Sequence, residues 1–252
     1  VIIDTTAPGA VTVAASNNNG STPIAIANGG STNDNTPALS GTAEAGSVVI
    51  VREGTTVLGS TTASSTGAWS ITSSTLVDGT HNLSVTATDA AGNVSTATPI
   101  TLIIDTGVPV AATGLTVTND SVTPNTTVAN GGSTNDSTPV LSGTAEGGSI
   151  VTVYDGTTVL GSTTAAAGGA WSFTPPTALT NGSHPLSVTV KDAAGNVSPA
   201  SGTYTVIVDT VAPTNTTLVI TNDNTGVVVP WWARCCIGAR AVSWMLLPGR
   251  YP

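Results

Sequence analysis

Apolar and polar residues alternate with a period of two through short runs of this chain. Ser47–Glu53 (SVVIVRE), Val57–Ala63 (VLGSTTA), Ala68–Thr72 (AWSIT), His81–Asp89 (HNLSVTATD) and Ile100–Asp105 (ITLIID) are rich in Val, Ile and Thr. Gly, Asn, Asp or Pro clusters bound most of them, which is the pattern of half-buried strands between turns. Ala10–Ala15 (AVTVAA) and Pro37–Glu44 (PALSGTAE) complete a set of seven. No stretch carries the period of a helix. Seven short strands in about a hundred residues predict an all-β fold, an immunoglobulin-like β-sandwich. There is no Cys–Trp–Cys pattern of the antibody type.

The pattern then returns. GTTVLGSTT at Gly54–Thr62 recurs unchanged at Gly156–Thr164, and NGGSTND at Asn28–Asp34 recurs at Asn130–Asp136. SGTAE (Ser40 and Ser142), AWS (Ala68 and Ala170) and DAAGNVS (Asp89 and Asp192) follow in the same order. A period near a hundred residues exceeds the roughly 20–50 of a solenoid unit and fits a whole domain copied in line. The words IIDTTAP, IIDTGVP and VIVDTVAP, with Asp4, Asp105 and Asp209, mark the joints. The expected organisation is the end of a preceding repeat or linker (1–4), repeat 1 (5–104), repeat 2 (105–208) and the start of a truncated third (209–230). Residues 231–252 (WWARCCIGARAVSWMLLPGRYP) break the composition. They read as an aberrant tail without defined packing.

Charge narrows the function. The chain has 5 basic and 14 acidic residues, a net −9. Residues 1–230 contain only Arg52 and Lys191 as basic residues. Nucleic-acid binding needs clustered Lys and Arg to displace phosphate counterions, so that class is excluded. No apolar run approaches the ~20 residues of a spanning helix. Both cysteines, Cys235 and Cys236, lie in the tail. Trp69 and Trp171 occupy one repeat position, two before Ile71 and Phe173, and are expected on an inward core face rather than as sugar-stacking platforms. His81 and His184 each open a strand after a turn and are expected to be hydrogen-bonded edge histidines. No nucleophile elbow, paired catalytic carboxylates or phosphate loop is present. No enzyme is expected.

The ordered words DTTAP (Asp4–Pro8), STNDNTP (Ser31–Pro37), SGTAEAGS (Ser40–Ser47), GAWS (Gly67–Ser70), DGTH (Asp78–His81) and TDAAGNVS (Thr88–Ser95) resemble the bacterial Ig-like repeats of large secreted and surface adhesins, including biofilm-associated and RTX-type proteins. Second copies include SGTAEGGS (Ser142–Ser149) and KDAAGNVS (Lys191–Ser198). The resemblance runs from residue 1 to about 225. It implies an extracellular stalk whose partners are neighbouring repeats, with calcium at or near the domain junctions.

Strand order leads to a similar place. In a sandwich, alternate loops return to one pole. That pole collects Asp4, Glu44 and Asp89 in repeat 1, and Asp105, Glu146 and Asp192 in repeat 2. Clustered carboxylates repel unless neutralised, and Ca²⁺ takes 6–8 hard oxygens. These six residues are therefore the candidate calcium ligands. Asp34 and Asp78 at the opposite pole of repeat 1 face the same junction. The competing reading makes each acid a turn cap that accepts backbone N–H groups. The functional expectation is a non-catalytic, calcium-stiffened spacer of a bacterial adhesin supporting adhesion or biofilm formation. The alternatives are an accessory module of a secreted polysaccharide-active enzyme and a direct ligand-binding module.

Overall fold

The computed structural model describes residues 3–214, 219–221 and 228–230. The tail assigned to 231–252 lies outside the described residues, as does much of the expected third repeat. The described part of repeat 1 contains nine strands and no helix. They are β1 (Ala14–Asn17), β2 (Ile24–Ile26), β3 (Ser31–Thr32), β4 (Ala38–Thr42), β5 (Val48–Glu53), β6 (Thr56–Thr62), β7 (Ala68–Thr72), β8 (Gly79–Thr88) and β9 (Thr98–Ile104). One sheet runs β2-β1-β4-β7 and the other β3-β9-β8-β5-β6. All pairings are antiparallel except β3 with β9.

The two-residue period decides what is inside. On β8, His81, Leu83, Val85 and Ala87 are buried while their neighbours are exposed or half-buried. Val49 and Val51 of β5 and Ile100, Leu102 and Ile104 of β9 join them. Leu39, Trp69 and Ile71 close the core from the second sheet. Each such side chain withdraws apolar area from water at roughly 25 cal/mol per Å². Close sheet packing also demands absent side chains. A Cβ on Gly59 would fall 2.4 Å from Ile71 Cγ2, and one on Gly41 would fall 1.9 Å from the Thr12 carbonyl oxygen.

Repeat 2 has the same plan: β10 (Thr113–Asn119), β11 (Thr126–Val128), β12 (Ser133–Thr134), β13 (Val140–Thr144), β14 (Ile150–Asp155), β15 (Thr158–Thr164), β16 (Ala170–Phe173), β17 (Gly182–Lys191) and β18 (Tyr204–Val208). Its sheets are β11-β10-β13-β16 and β12-β18-β17-β14-β15. Trp171 and Phe173 take the core positions of Trp69 and Ile71. Both tryptophans are buried, as their repeat position predicts.

Two features differ from the sequence reading. Each repeat has nine strands, because β2 and β3 and their copies are too short to show alternation. The first strand also begins later, at Ala14 rather than Ala10. The NGG turn before β3 is bound to β9: Gly29 N–H donates to the Thr101 carbonyl (2.7 Å), and Thr101 N–H donates to Asn28 Oδ1 (2.7 Å).

Both repeats lie in one compact unit that ends at Thr210. In the unit that follows, β19 (Val219–Thr221) pairs antiparallel with β20 (Val228–Pro230). Among the described residues, no helix is long and apolar enough to cross a membrane.

Candidate functional site: the joint between the repeats

The linker Asp105–Thr106 is held from both sides. From repeat 1, the Thr32 carbonyl accepts the Asp105 N–H (3.0 Å). Asp78 Oδ1 accepts both the Thr106 N–H (3.0 Å) and the Thr106 hydroxyl (2.9 Å). From repeat 2, Asn196 Nδ2 donates to the Asp105 carbonyl (2.9 Å) and to Asp192 Oδ2 (2.8 Å). Asp192 Oδ1 accepts the N–H groups of Gly195 and Asn196 at 2.7 and 2.9 Å. The DAAGN loop thus folds around its own aspartate and points its asparagine amide at the linker.

A second contact joins the repeats away from the linker. Asn33 N–H donates to the Ala194 carbonyl at 3.0 Å. Asn17 Nδ2 fixes the Asn33 side chain through its Oδ1 (2.8 Å) and also reaches Thr32 Oγ1 (3.0 Å). Docking changes the loop's exposure. Ala194 and Asn196 are buried at 7% each, whereas Ala91 of repeat 1 is exposed and Asn93 half-buried. An open groove of about 590 Å³ runs beside this contact, bordered by Asn17, Ile24, Asn33, Ile150, Lys191 and Asp192.

The DAAGN loop of repeat 1 is built alike. Asn93 Nδ2 donates to Asp89 Oδ2 (2.8 Å) and to the Asp4 carbonyl (3.2 Å). Asp89 Oδ1 accepts from Ala91 and Asn93 N–H. The Asn93 amide, together with the main-chain N–H groups of the loop, holds the Asp89 carboxyl below its ordinary value, against desolvation, which raises it. Asp4 and Asp105 cap their own turns, accepting the N–H of Thr6 and Gly107. Glu44 and Glu146 are exposed, and their main-chain carbonyls accept from Ser47 and Ser149.

The Asn93 amide links the Asp4 carbonyl to the Asp89 carboxylate, and the Asn196 amide links Asp105 to Asp192 in the same way, while Glu44 and Glu146 stand exposed. Among the described residues no three Asp, Glu, His or Cys side chains stand close enough to hold an ion. N–H groups donate to the Asp89 and Asp192 carboxylates. This donor set does not fit a preformed calcium cage. Asp34 is buried and serves the Asn18 and Thr36 N–H groups. Asp78 does reach the linker, and in repeat 2 Asn181 takes its place, accepting from Thr210 N–H and hydroxyl.

Both histidines lie near these turns. His81 Nδ1 meets the Glu53 carboxylate at 3.0 Å, and Nε2 meets the Val77 carbonyl at 2.7 Å. His184 repeats this with Asp155 and Thr180, each at 2.7 Å. Burial alone would lower both ring pKa values. The facing carbonyl and carboxylate outweigh it and hold both above the ordinary 6.5.

Among the described residues, the aromatic side chains do not form an exposed platform. Trp69, Trp171 and Phe173 are buried, Tyr154 and Tyr204 half-buried, and the Tyr204 hydroxyl donates to the Val128 carbonyl.

The family model described as "Bacterial Ig-like domain" matches residues 5–106 and 110–210. No curated protein matches the chain. Among solved structures, the fibronectin(III)-like modules of CbhA from Clostridium thermocellum align at 20% identity over 73% of this chain and 90% of theirs, with a TM-score of 0.42. The BSP domain of a biofilm associated protein aligns at 21% identity over 74% of this chain and 30% of its own, with a TM-score of 0.27. The D0-D1 domain of intimin aligns at 14% identity over 70% and 94%, with a TM-score of 0.23.

Proposed function

The chain belongs to the bacterial Ig-like domain family, which it carries in two tandem copies, and from that premise we propose that it is a non-catalytic spacer of an extracellular bacterial surface or secreted adhesin. The observation that carries the proposal is the linker held from both sides: Asp78 of repeat 1 and Asn196 of repeat 2 bind adjacent linker residues. A flexible tether would leave those groups to water. A bound one restricts the hinge, and transmitting position along a chain requires a restricted hinge. Burial of Trp69, Trp171 and Phe173 favours this reading over direct sugar or surface recognition by the two repeats.

Calcium enters the proposal through charge. A net −9 and an acidic residue in each joint word favour a divalent cation near the poles. With no preformed cage, the ion would be held weakly, in the range of extracellular modules with Kd about 10⁻⁴–10⁻³ M. Calcium at about ten times Kd, bound to the ordered joint alone, would add roughly 1.4 kcal/mol.

The test is small-angle X-ray scattering of the full chain, as wild type and as Asp78→Ala plus Asn196→Ala, each with calcium and with chelator. The spacer reading expects a narrow distance distribution for the wild type and a broader one for the double variant. Identical distributions overturn it. A chelator effect on the wild type supports the calcium component, and indifference to chelator removes that component alone.

A further inference from the structure

We propose that each repeat carries a protonation-operated clamp, in which a doubly protonated histidine holds the turn that grips the linker, so that the joint loosens when the ring loses its proton. The inference rests on the spacer reading and adds a means of regulating the same joint.

The geometry of His81 carries it. Both ring nitrogens face acceptors, the Glu53 carboxylate on one side and the Val77 carbonyl on the other. Imidazolium donates from both nitrogens, whereas neutral imidazole has one N–H and one lone pair. Only the protonated ring satisfies both neighbours. In the neutral ring, the stronger, charge-assisted bond keeps the remaining proton toward the carboxylate. The Nε2 lone pair then confronts the Val77 oxygen at 2.7 Å. One side must yield. His81 is buried as the third residue of β8, the central strand of its five-stranded sheet, while Val77 and Asp78 are exposed and lie just before that strand. The turn is the side that moves.

That turn is also the grip. Asp78, next to Val77, accepts the Thr106 N–H and hydroxyl of the linker. The path from proton to joint is therefore four residues: His81, Val77, Asp78 and Thr106. Repeat 2 reproduces it with different side chains. His184 bridges Asp155 and the Thr180 carbonyl, and Asn181 beside Thr180 accepts Thr210. Glu53 has become Asp155 between the copies, yet a carboxylate still meets Nδ1. The arrangement has survived a change in side-chain length.

The charged surroundings are simple. Glu53 on β5 is the group in contact with the His81 ring, and Asp155 on β14 with that of His184. On the turn side, Asp78 is engaged by Thr106, and its counterpart Asn181 carries no charge. Arg52 reaches instead for the Thr55 carbonyl. The opposite neighbours on β9 and β18, Leu102 and Val206, are apolar. Carboxylate and carbonyl thus both favour the cation, against burial. A ring whose proton is held more tightly in the folded chain contributes stability that is complete below the unfolded pKa. That contribution is lost as pH rises through the folded one.

The test is a pH titration of the full chain by NMR, following the ring nitrogens of both histidines and the amide exchange of Thr106. Expected is an imidazolium at both rings at pH 6.5 and a midpoint above that value. Thr106 exchange, corrected for its intrinsic pH dependence, should accelerate about tenfold through the His81 midpoint, the factor set by one net hydrogen bond. In Asp78→Ala, His81 should still titrate while Thr106 no longer responds. A singly protonated ring at pH 6.5 overturns the proposal. So does Thr106 exchange that is flat across the midpoint, or a response that survives Asp78→Ala. None of these outcomes touches the scattering test of the spacer, which is made at one pH.

Discussion

At the scale of single residues, asparagine joins each linker to the loop beside it. Asn196 ties the Asp105 carbonyl to the Asp192 carboxylate, and Asn93 does the same for Asp4 and Asp89. The two differ in what covers them. Asn196 is 7% exposed because repeat 1 docks over its loop, whereas Asn93 is half-buried. Leaving a buried carbonyl without its donor costs about 1–3 kcal/mol, and less where water can replace it. Asn196→Ala should therefore lower stability in urea denaturation by more than Asn93→Ala, with the larger loss near 2 kcal/mol. Equal losses would mean that docking does not dry the joint. The acids themselves were legible in the sequence as a pole of negative charge. Their partners were not, because composition does not tell a carboxylate facing a cation from one facing amides. The repeated GN of DAAGN was the available signal: a tight turn with a side-chain amide at its end.

At the scale of the strand, alternation located every element long enough to bury three or more side chains. It missed β2 and β3, which have three residues and two and sit in polar words. The first strand shows how one residue resets pairing. In repeat 2, Gly114 adopts φ +64°, and a register shift between Thr113 and Thr116 lets β10 pair from Thr113. Repeat 1 lacks this glycine, and β1 (Ala14–Asn17) is three residues shorter at its start, although Thr12 N–H still donates to the Thr42 carbonyl at 2.9 Å. The consequence falls on the facing glycines. A Cβ on Gly41 would meet the Thr12 oxygen at 1.9 Å, but on Gly143 the Thr113 oxygen lies at 2.9 Å and Trp171 at 3.0 Å. Gly41→Ala should cost more than Gly143→Ala. We expect the former at or above the ~1–3 kcal/mol typical of overpacking. Differential scanning calorimetry of the two variants checks the order.

At the scale of the whole chain, the joint is heterologous: Asn33 at one pole of a repeat meets the DAAGN loop at the opposite pole of the next, and Asp78 holds the linker between them. A contact of this kind uses different surfaces on its two sides, so each repeat keeps one half free for a further copy. Repeat 2 already has its outgoing half in place, with Asp209 N–H on the Thr134 carbonyl and Thr210 on Asn181. Fold class and copy number could be read directly from the sequence, since both are periodic. The polarity of the joint could not, because it depends on which loops meet across a gap that no local pattern records.

The unchanged GTTVLGSTT segment has a bearing on folding errors. β6 and β15 are the same strand in sequence, each at a sheet edge beside β5 or β14. Either could pair with the other's neighbour at no chemical cost, so recognition cannot sort them. Distance does: β6 follows β5 across a turn of two residues, Gly54 and Thr55, while its double lies about a hundred residues away. A short tether gives the correct partner an effective concentration in the millimolar range or above. Lengthening the turn after Gly54 by ten flexible residues should erode that advantage. The measurable result would be more exchanged, off-pathway species on refolding from denaturant, with little change at the matching turn of repeat 2. In an array of copies, the brevity of a hairpin acts as proofreading.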